Sequence, residues 1–140
     1  MSADPLAIDD VVHVAEFRAA LRGFLRRSER VARSAGLTPQ RYLLLLMVKG
    51  APDGSEQSTV TELAERLQLA QSTVTELVAR AEEAGLLERG PSAADGRVAL
   101  LRLTREGERR LLHAFTDLES ERRELREAFA HLEGMSSPVS

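Results

Sequence analysis

The sequence predicts a mostly α-helical fold with one small β-hairpin, the arrangement of a winged helix-turn-helix. Three observations predict it. Two short amphipathic stretches, at 59–67 and 71–84, are separated by only Gln68, Leu69 and Ala70. Directly after them the apolar pattern changes to short strand-like runs around an Asp95-Gly96 turn. Longer helical patterns, at 10–36 and 105–133, flank this core on both sides.

The first helix begins at Asp9 or Asp10. It places Val14, Phe17, Leu21, Phe24 and Leu25 on one side and ends near Gly36. Thr38 and Pro39 open the second as N-cap and first helical residue, with Leu37 placed to staple onto Tyr42. The YLLLLMV run (42–48) is apolar nearly all round, which predicts a central buried helix. The segment 50–58, GAPDGSEQS, reads as a loop.

Thr59 and Glu62 form a capping box at the start of the third helix, whose buried stripe is Val60, Leu63, Ala64 and Leu67. The fourth buries Val74, Leu77, Val78 and Ala81, and Gly85 stops it in the left-handed position with Leu86 as the apolar partner of the cap. Its other face carries Gln71, Ser72, Thr73, Thr75, Glu76 and Arg80. Strands at 86–89 and 98–103 form the wing within 86–103, and Thr104 caps one long last helix.

The 140 residues, 43% of them hydrophobic, suit a single winged-helix domain spanning 1–140 with a sizeable core. There is no Cys, which excludes disulfides, a thiolate nucleophile and thiol redox sensing. The acidic N-terminus has no apolar signal core, and the longest apolar run is too short to cross a bilayer. The expectation is a cytoplasmic protein without a membrane association. The net charge of −3 conceals a segregated pattern. Residues 11–34 hold six Arg against two acids, 89–110 six Arg against three acids, and 117–133 six acids against three Arg.

This order of elements resembles the MarR family of bacterial transcriptional repressors. GLTPQRYLLLLMV is similar to the family's second helix, and TVTELAERLQLAQSTVTELVARAEEAGLLER to its helix-turn-helix and first wing strand. DGRVALLRLT resembles the wing signature, with Asp95 and Arg97 two apart and Leu103-Thr104 six and seven residues beyond that Arg. The resemblance implies a homodimer built from the terminal helices, 10–36 and 105–133. It also implies a DNA-binding lobe at 38–104, with its recognition helix at about 71–84. The basic first helix and acidic last helix, each with a long apolar stripe, are complementary and support the dimer independently.

A helix that reads base edges in a major groove needs side chains that donate and accept at its front, backed by a rigid apolar face. Gln71, Ser72, Thr73 and Thr75 meet that need, and Arg80 is placed for a backbone phosphate. Glu76 departs from the family pattern and repels phosphate unless it pairs with Arg80 or accepts from a cytosine amino group. Ala70 stands where the family commonly has a Ser cap. At the wing tip Arg97 reaches a minor groove, and the resemblance assigns Asp95 to orienting it. Arg89 and Arg102 are candidates for phosphate contacts or for ion pairs on the strand face. The partner is double-stranded DNA with a pseudo-palindromic operator, its half-sites about one turn (~10 bp) apart.

The resemblance further implies a small amphipathic or phenolic effector in a cleft lined, by position, by His13, Phe17, Tyr42 and Met47. No residue pattern points to a cofactor or a metal. There is no phosphate-binding Gly loop or nucleophile elbow, so catalysis is not expected. The alternative is a winged-helix adaptor that binds protein, which would place apolar residues where Arg97 and the polar helix front stand.

Overall fold

The computed structural model describes residues 6–91, 98–115 and 118–134. The chain forms two compact units, residues 1–30 with 117–140 and residues 31–116. In order, the elements are α1 (Ile8–Ser34), α2 (Pro39–Lys49), α3 (Val60–Leu67), α4 (Gln71–Glu83), β1 (Leu87–Pro91), β2 (Ala99–Leu103), α5 (Arg105–Ala114) and α6 (Leu118–Glu133). The last four residues of α1 belong to the second unit. Among the described residues no helix is long and apolar enough to cross a membrane.

The second unit is organised around α2. Leu44, Leu45 and Val48 have no exposure at all, and α3, α4, β2 and α5 each pack against this helix. Full burial of such side chains contributes about 1.5–3 kcal/mol each relative to exposure. The local signals act as the residues predict. Thr38 accepts from the Arg41 amide at the start of α2, with Pro39 at the first helical position. Thr59 and Glu62 close a reciprocal capping box on α3.

Three chain reversals fix the directions of the helices. After α1, Gly36 adopts φ +76° and the Leu37 amide donates back to the Ala32 carbonyl. Between α3 and α4 the left-handed residue is Gln68, whose side chain also donates to the Glu65 carbonyl. After α4, Gly85 takes φ +75°; its amide donates to the Glu82 carbonyl and the Leu86 amide to Ala81, the paired bonds of a Schellman cap.

β1 and β2 pair antiparallel, with Leu87 opposite Leu103 and Gly90 opposite Leu100. Both strands differ by a residue or two from the expected runs. Ser58 adds an isolated bridge to Leu101 through two backbone bonds of 2.8 and 3.0 Å. The segment read as a loop thus ends in sheet pairing, with Ser58 buried against the wing. A single paired residue is too short to leave a period in the sequence.

The expected long last helix at 105–133 is two helices. α5 closes at Phe115, which leaves helical geometry with φ −96° and ψ 17° and shares its amide between the Leu111 and Leu112 carbonyls. Its ring lies 6.5 Å from that of Tyr42, so a core contact is made where the helix stops. In sequence, Thr116 and Asp117 precede α6, residue types suited to starting a helix anew. α5 therefore belongs with the helix-turn-helix, and only α6 joins the first part of α1.

Within the first unit, Phe17 and Phe129 place their rings 6.3 Å apart, Arg27 pairs with Glu124, and Glu16 meets His131 at 2.9 Å. One pair of the expected sense, Arg27 of the basic helix with Glu124 of the acidic one, thus forms inside one chain.

At the start of α5, Thr104 accepts from the Gly107 amide and donates its hydroxyl to the Gly85 carbonyl. Glu106 accepts from Arg109 and from Arg110, which in turn donates to the Gly36 carbonyl. The two guanidiniums, Arg109 foremost, hold the Glu106 carboxyl down at about 2. Its contribution to stability is present above the ordinary carboxylate value of 4.5 and is lost as pH falls toward 2. Gly107 lies so near the wing that a Cβ there would clash with the Leu86 carbonyl oxygen. Gly107→Ala is therefore expected to cost about 2 kcal/mol or more in thermal unfolding. Gly90→Ala, whose Cβ would meet nothing within 4 Å, should change stability by no more than about 0.5 kcal/mol.

Candidate nucleic-acid interface

The candidate site is the outer face of α4. Val74, Val78 and Ala81 bury one side completely, and Leu77 is half-buried beside them. Gln71, Ser72, Thr73, Thr75, Glu76, Ala79 and Arg80 are exposed. The helix is thus fixed from behind by apolar packing while its polar side chains stand free of the core. Short hydroxyls and one amide at the front of such a helix have the size and the donor–acceptor capacity for base edges or phosphate oxygens.

Ala70 occupies the N-cap without a side-chain bond, as its methyl group dictates. One tie at this end comes from α3: the Gln71 amide nitrogen donates to the Thr61 hydroxyl at 3.2 Å. That bond spans the turn and holds Gln71 at the leading edge of α4. Arg80 donates to Glu76 at 2.7 Å, the i,i+4 pair that the spacing implies.

The wing contributes differently. Arg89 donates through Nε to both carboxylate oxygens of Glu82 at 3.0 Å, which ties β1 to the end of α4. Arg102 donates to Glu88 across the hairpin at 2.9 Å. Both are ion pairs in this structure. Asp95 and Arg97, the expected wing-tip contacts, lie outside the described residues.

The four expected effector-lining residues divide between the units. His13 and Phe17 are in the first, both half-buried; His13 Nδ1 is buried without a hydrogen-bond partner, and Phe17 meets Phe129. Tyr42 is buried in the second unit against Phe115, and Met47 is half-buried at the edge of its core. A largely apolar recess of about 390 Å³ in the second unit is lined by Leu46, Leu111, Leu112 and Phe115, with Lys49 and Glu108 among its polar members. None of the four expected residues lines it. Lys49 donates to Glu108 at 2.7 Å and meets Glu56 at 3.1 Å, and these carboxylates, Glu108 foremost, raise its pKa.

Sequence reading missed one further residue that positions the site. Arg66, near the end of α3, donates to the Met47 carbonyl at 2.9 Å and the Gly50 carbonyl at 3.3 Å. It caps the C-terminus of α2 from a neighbouring helix and so fastens the helix-turn-helix to its support. Its basic character in the last turn of α3 was visible, but the partner, sixteen to nineteen residues earlier, leaves no local pattern. Arg66→Met should lower the urea midpoint by an amount corresponding to about 1 kcal/mol at unchanged slope. An unchanged midpoint would show that the clasp adds nothing.

The comparisons with known proteins agree with this geometry. The profile described as MarR family matches residues 35–98. The fold is similar to that of a mutant MarR from E. coli complexed with operator DNA, at 20% identity and a TM-score of 0.66, covering 83% of this chain and 84% of that one. It is similar to the transcriptional regulator Tm0710 from Thermotoga maritima at 29% identity and a TM-score of 0.60, covering 82% and 76%. AbsC, a MarR family transcriptional regulator from Streptomyces coelicolor, is 17% identical with a TM-score of 0.63, covering 97% and 86%. No curated protein sequence matches the chain. A helix-turn-helix on a buried α2, a hairpin wing directly behind it, and a family profile running from the end of α1 to the start of β2 lead to one conclusion: the chain has the winged helix-turn-helix fold, and its residues 35–98 are similar to the MarR family.

Proposed function

We infer that this protein is a sequence-specific DNA-binding transcription regulator that acts as a homodimer, and that it is a repressor released by a small-molecule ligand. The observation that carries the reading is the outer face of α4, polar and uncovered on a helix whose other side is locked into the core. A structural relative, the E. coli MarR mutant, is complexed with operator DNA, which supports the same use of this fold here. Gln71, Ser72, Thr73 and Thr75 then serve base edges and phosphates; Arg80 reaches a backbone phosphate with the guanidinium hydrogens that its pair with Glu76 leaves free, and Arg89 does so at the expense of its exposed ion pair with Glu82, which is weak. Arg97 enters a minor groove from the wing tip, oriented by Asp95. An apolar side chain on the α4 face would have favoured a protein-binding adaptor. Catalysis has no place in this reading.

The dimer follows from what the first unit leaves uncovered. Among its described residues only Ala128 is fully buried, while Ile8 is 73% exposed, Leu6 66% and Phe129 58%. Two helices with so little apolar burial do not offset the entropy of ordering them. A second copy of the same surface supplies the missing cover, and a two-fold pair places two α4 helices for a pseudo-palindrome. With each protomer making few phosphate contacts, the pair still binds with marked salt dependence despite the net charge of −3.

Fluorescence anisotropy of the purified protein with its own upstream intergenic DNA, in excess nonspecific competitor at two salt concentrations, tests the reading. Binding that survives competitor and weakens with salt is expected. Arg97→Ala should reduce that affinity about tenfold with the oligomeric state unchanged. Binding erased by competitor at both salt concentrations would refute sequence-specific regulation. For the dimer, light scattering should give twice the mass of the 15.4 kDa chain, and Ile8→Glu combined with Phe129→Glu should shift it to the monomer. A wild-type monomer at micromolar concentration would contradict it.

A further inference from the structure

The outermost line of α4 runs through Ser72, Glu76, Ala79 and Glu83, all exposed and opposite the buried Val74, Val78 and Ala81. The centre of the face that would meet DNA is therefore a carboxylate. The side chains of Glu76 and Arg80 are 65% and 64% exposed, and Arg80 Nη2 donates to Glu76 Oε1 at 2.7 Å. A bare carboxylate pushed between two phosphate strands is repelled, so this position selects strongly among what it meets. An ionised carboxylate only accepts hydrogen bonds. In the major groove guanine presents two acceptors, thymine an acceptor and a methyl group, and adenine a donor beside an acceptor. Cytosine presents a donor alone, its N4 amino group.

We propose that Glu76 is a specificity-determining residue that requires a cytosine in each half-site, its free carboxylate oxygen accepting from cytosine N4 while Arg80 holds the other. The inference rests on α4 entering a major groove and adds to it which base the centre of the helix reads. Arg80 acts here as a positioning residue: its guanidinium fixes the rotamer of Glu76 one turn back along the helix and offsets the negative charge against the phosphates. The discrimination is largely repulsive, because three of the four bases set an acceptor or a methyl group against the carboxylate. Ser72, one turn before Glu76, and Thr75, the residue before it, carry hydroxyls that serve as donor or acceptor and impose no comparable penalty. The segment thus holds one exclusive reader among several permissive ones.

The test is selection of binding sites from random duplexes by the full-length wild type and by Glu76→Gln, with thermal unfolding of both as a check on folding. Glutamine is nearly isosteric and pairs bidentately with adenine. The wild type is expected to enrich a two-fold motif with one near-invariant cytosine per half-site, preferred about fivefold or more over each other base. Glu76→Gln should keep the rest of the motif and lose or move that preference, toward adenine. The same cytosine preference in both proteins, or a wild-type motif without such a cytosine, overturns the assignment of Glu76 while leaving sequence-specific binding standing. A wild-type pool without any motif overturns the DNA-binding reading and this inference together.

Discussion

The burial of α2 is the constraint on which the second unit depends. A helix apolar on nearly every side is stable only when other elements surround it, and α3, α4, α5 and β2 all take their places against it. The orientation of α4 follows. Val74, Val78 and Ala81 must face the core that contains α2, and the helical period then turns Ser72, Glu76 and Ala79 outward. Gly85 ends the helix in a conformation that sends Leu86 back to the core and the chain into β1. Position, face and wing are consequences of one packing requirement supplemented by the left-handed residues that flank α4, Gln68 and Gly85.

The first unit obeys the opposite condition. Its helices have apolar stripes but almost no interior, and Phe17 with Phe129 is one of the few large contacts between them. Their charges do find partners within the chain, at Arg27 with Glu124 and at Glu16 with His131. Large apolar side chains, Leu6, Ile8 and Phe129 among them, remain uncovered beside the exposed arginines of α1. In the proposed assembly, hydrophobic burial therefore drives the pairing of two copies, and charge sets the alignment of α1 with α6 inside each copy.

Much of this was legible in the sequence, because the signals involved are local. Caps at Thr38, Thr59 and Thr104, the Gly85 stop and the stripes of α3 and α4 lie within a few residues of the structure they specify. The break after α5 was not legible, since apolar residues at 111, 112, 115 and 118 continue a helical pattern across it. Where the helix ends, Phe115 packs on Tyr42, a contact 73 residues apart in sequence. Ser58 against Leu101 and Arg66 against Met47 and Gly50 escaped for the same reason. At the site, the exposed polar face of α4 and the Glu76–Arg80 pair followed from spacing alone, whereas the Gln71–Thr61 tie required the turn between helices to be built.

In the proposed complex two copies of the α4 face enter successive major grooves on one side of a duplex. Dimethyl sulfate footprinting of the selected operator tests this directly, since guanine N7 lies in the major groove and adenine N3 in the minor groove. Two patches of guanine N7 protection centred about one helical turn, ~10 bp, apart are expected. A single protected patch, or protection confined to adenine N3 with every guanine N7 reactive, would contradict it.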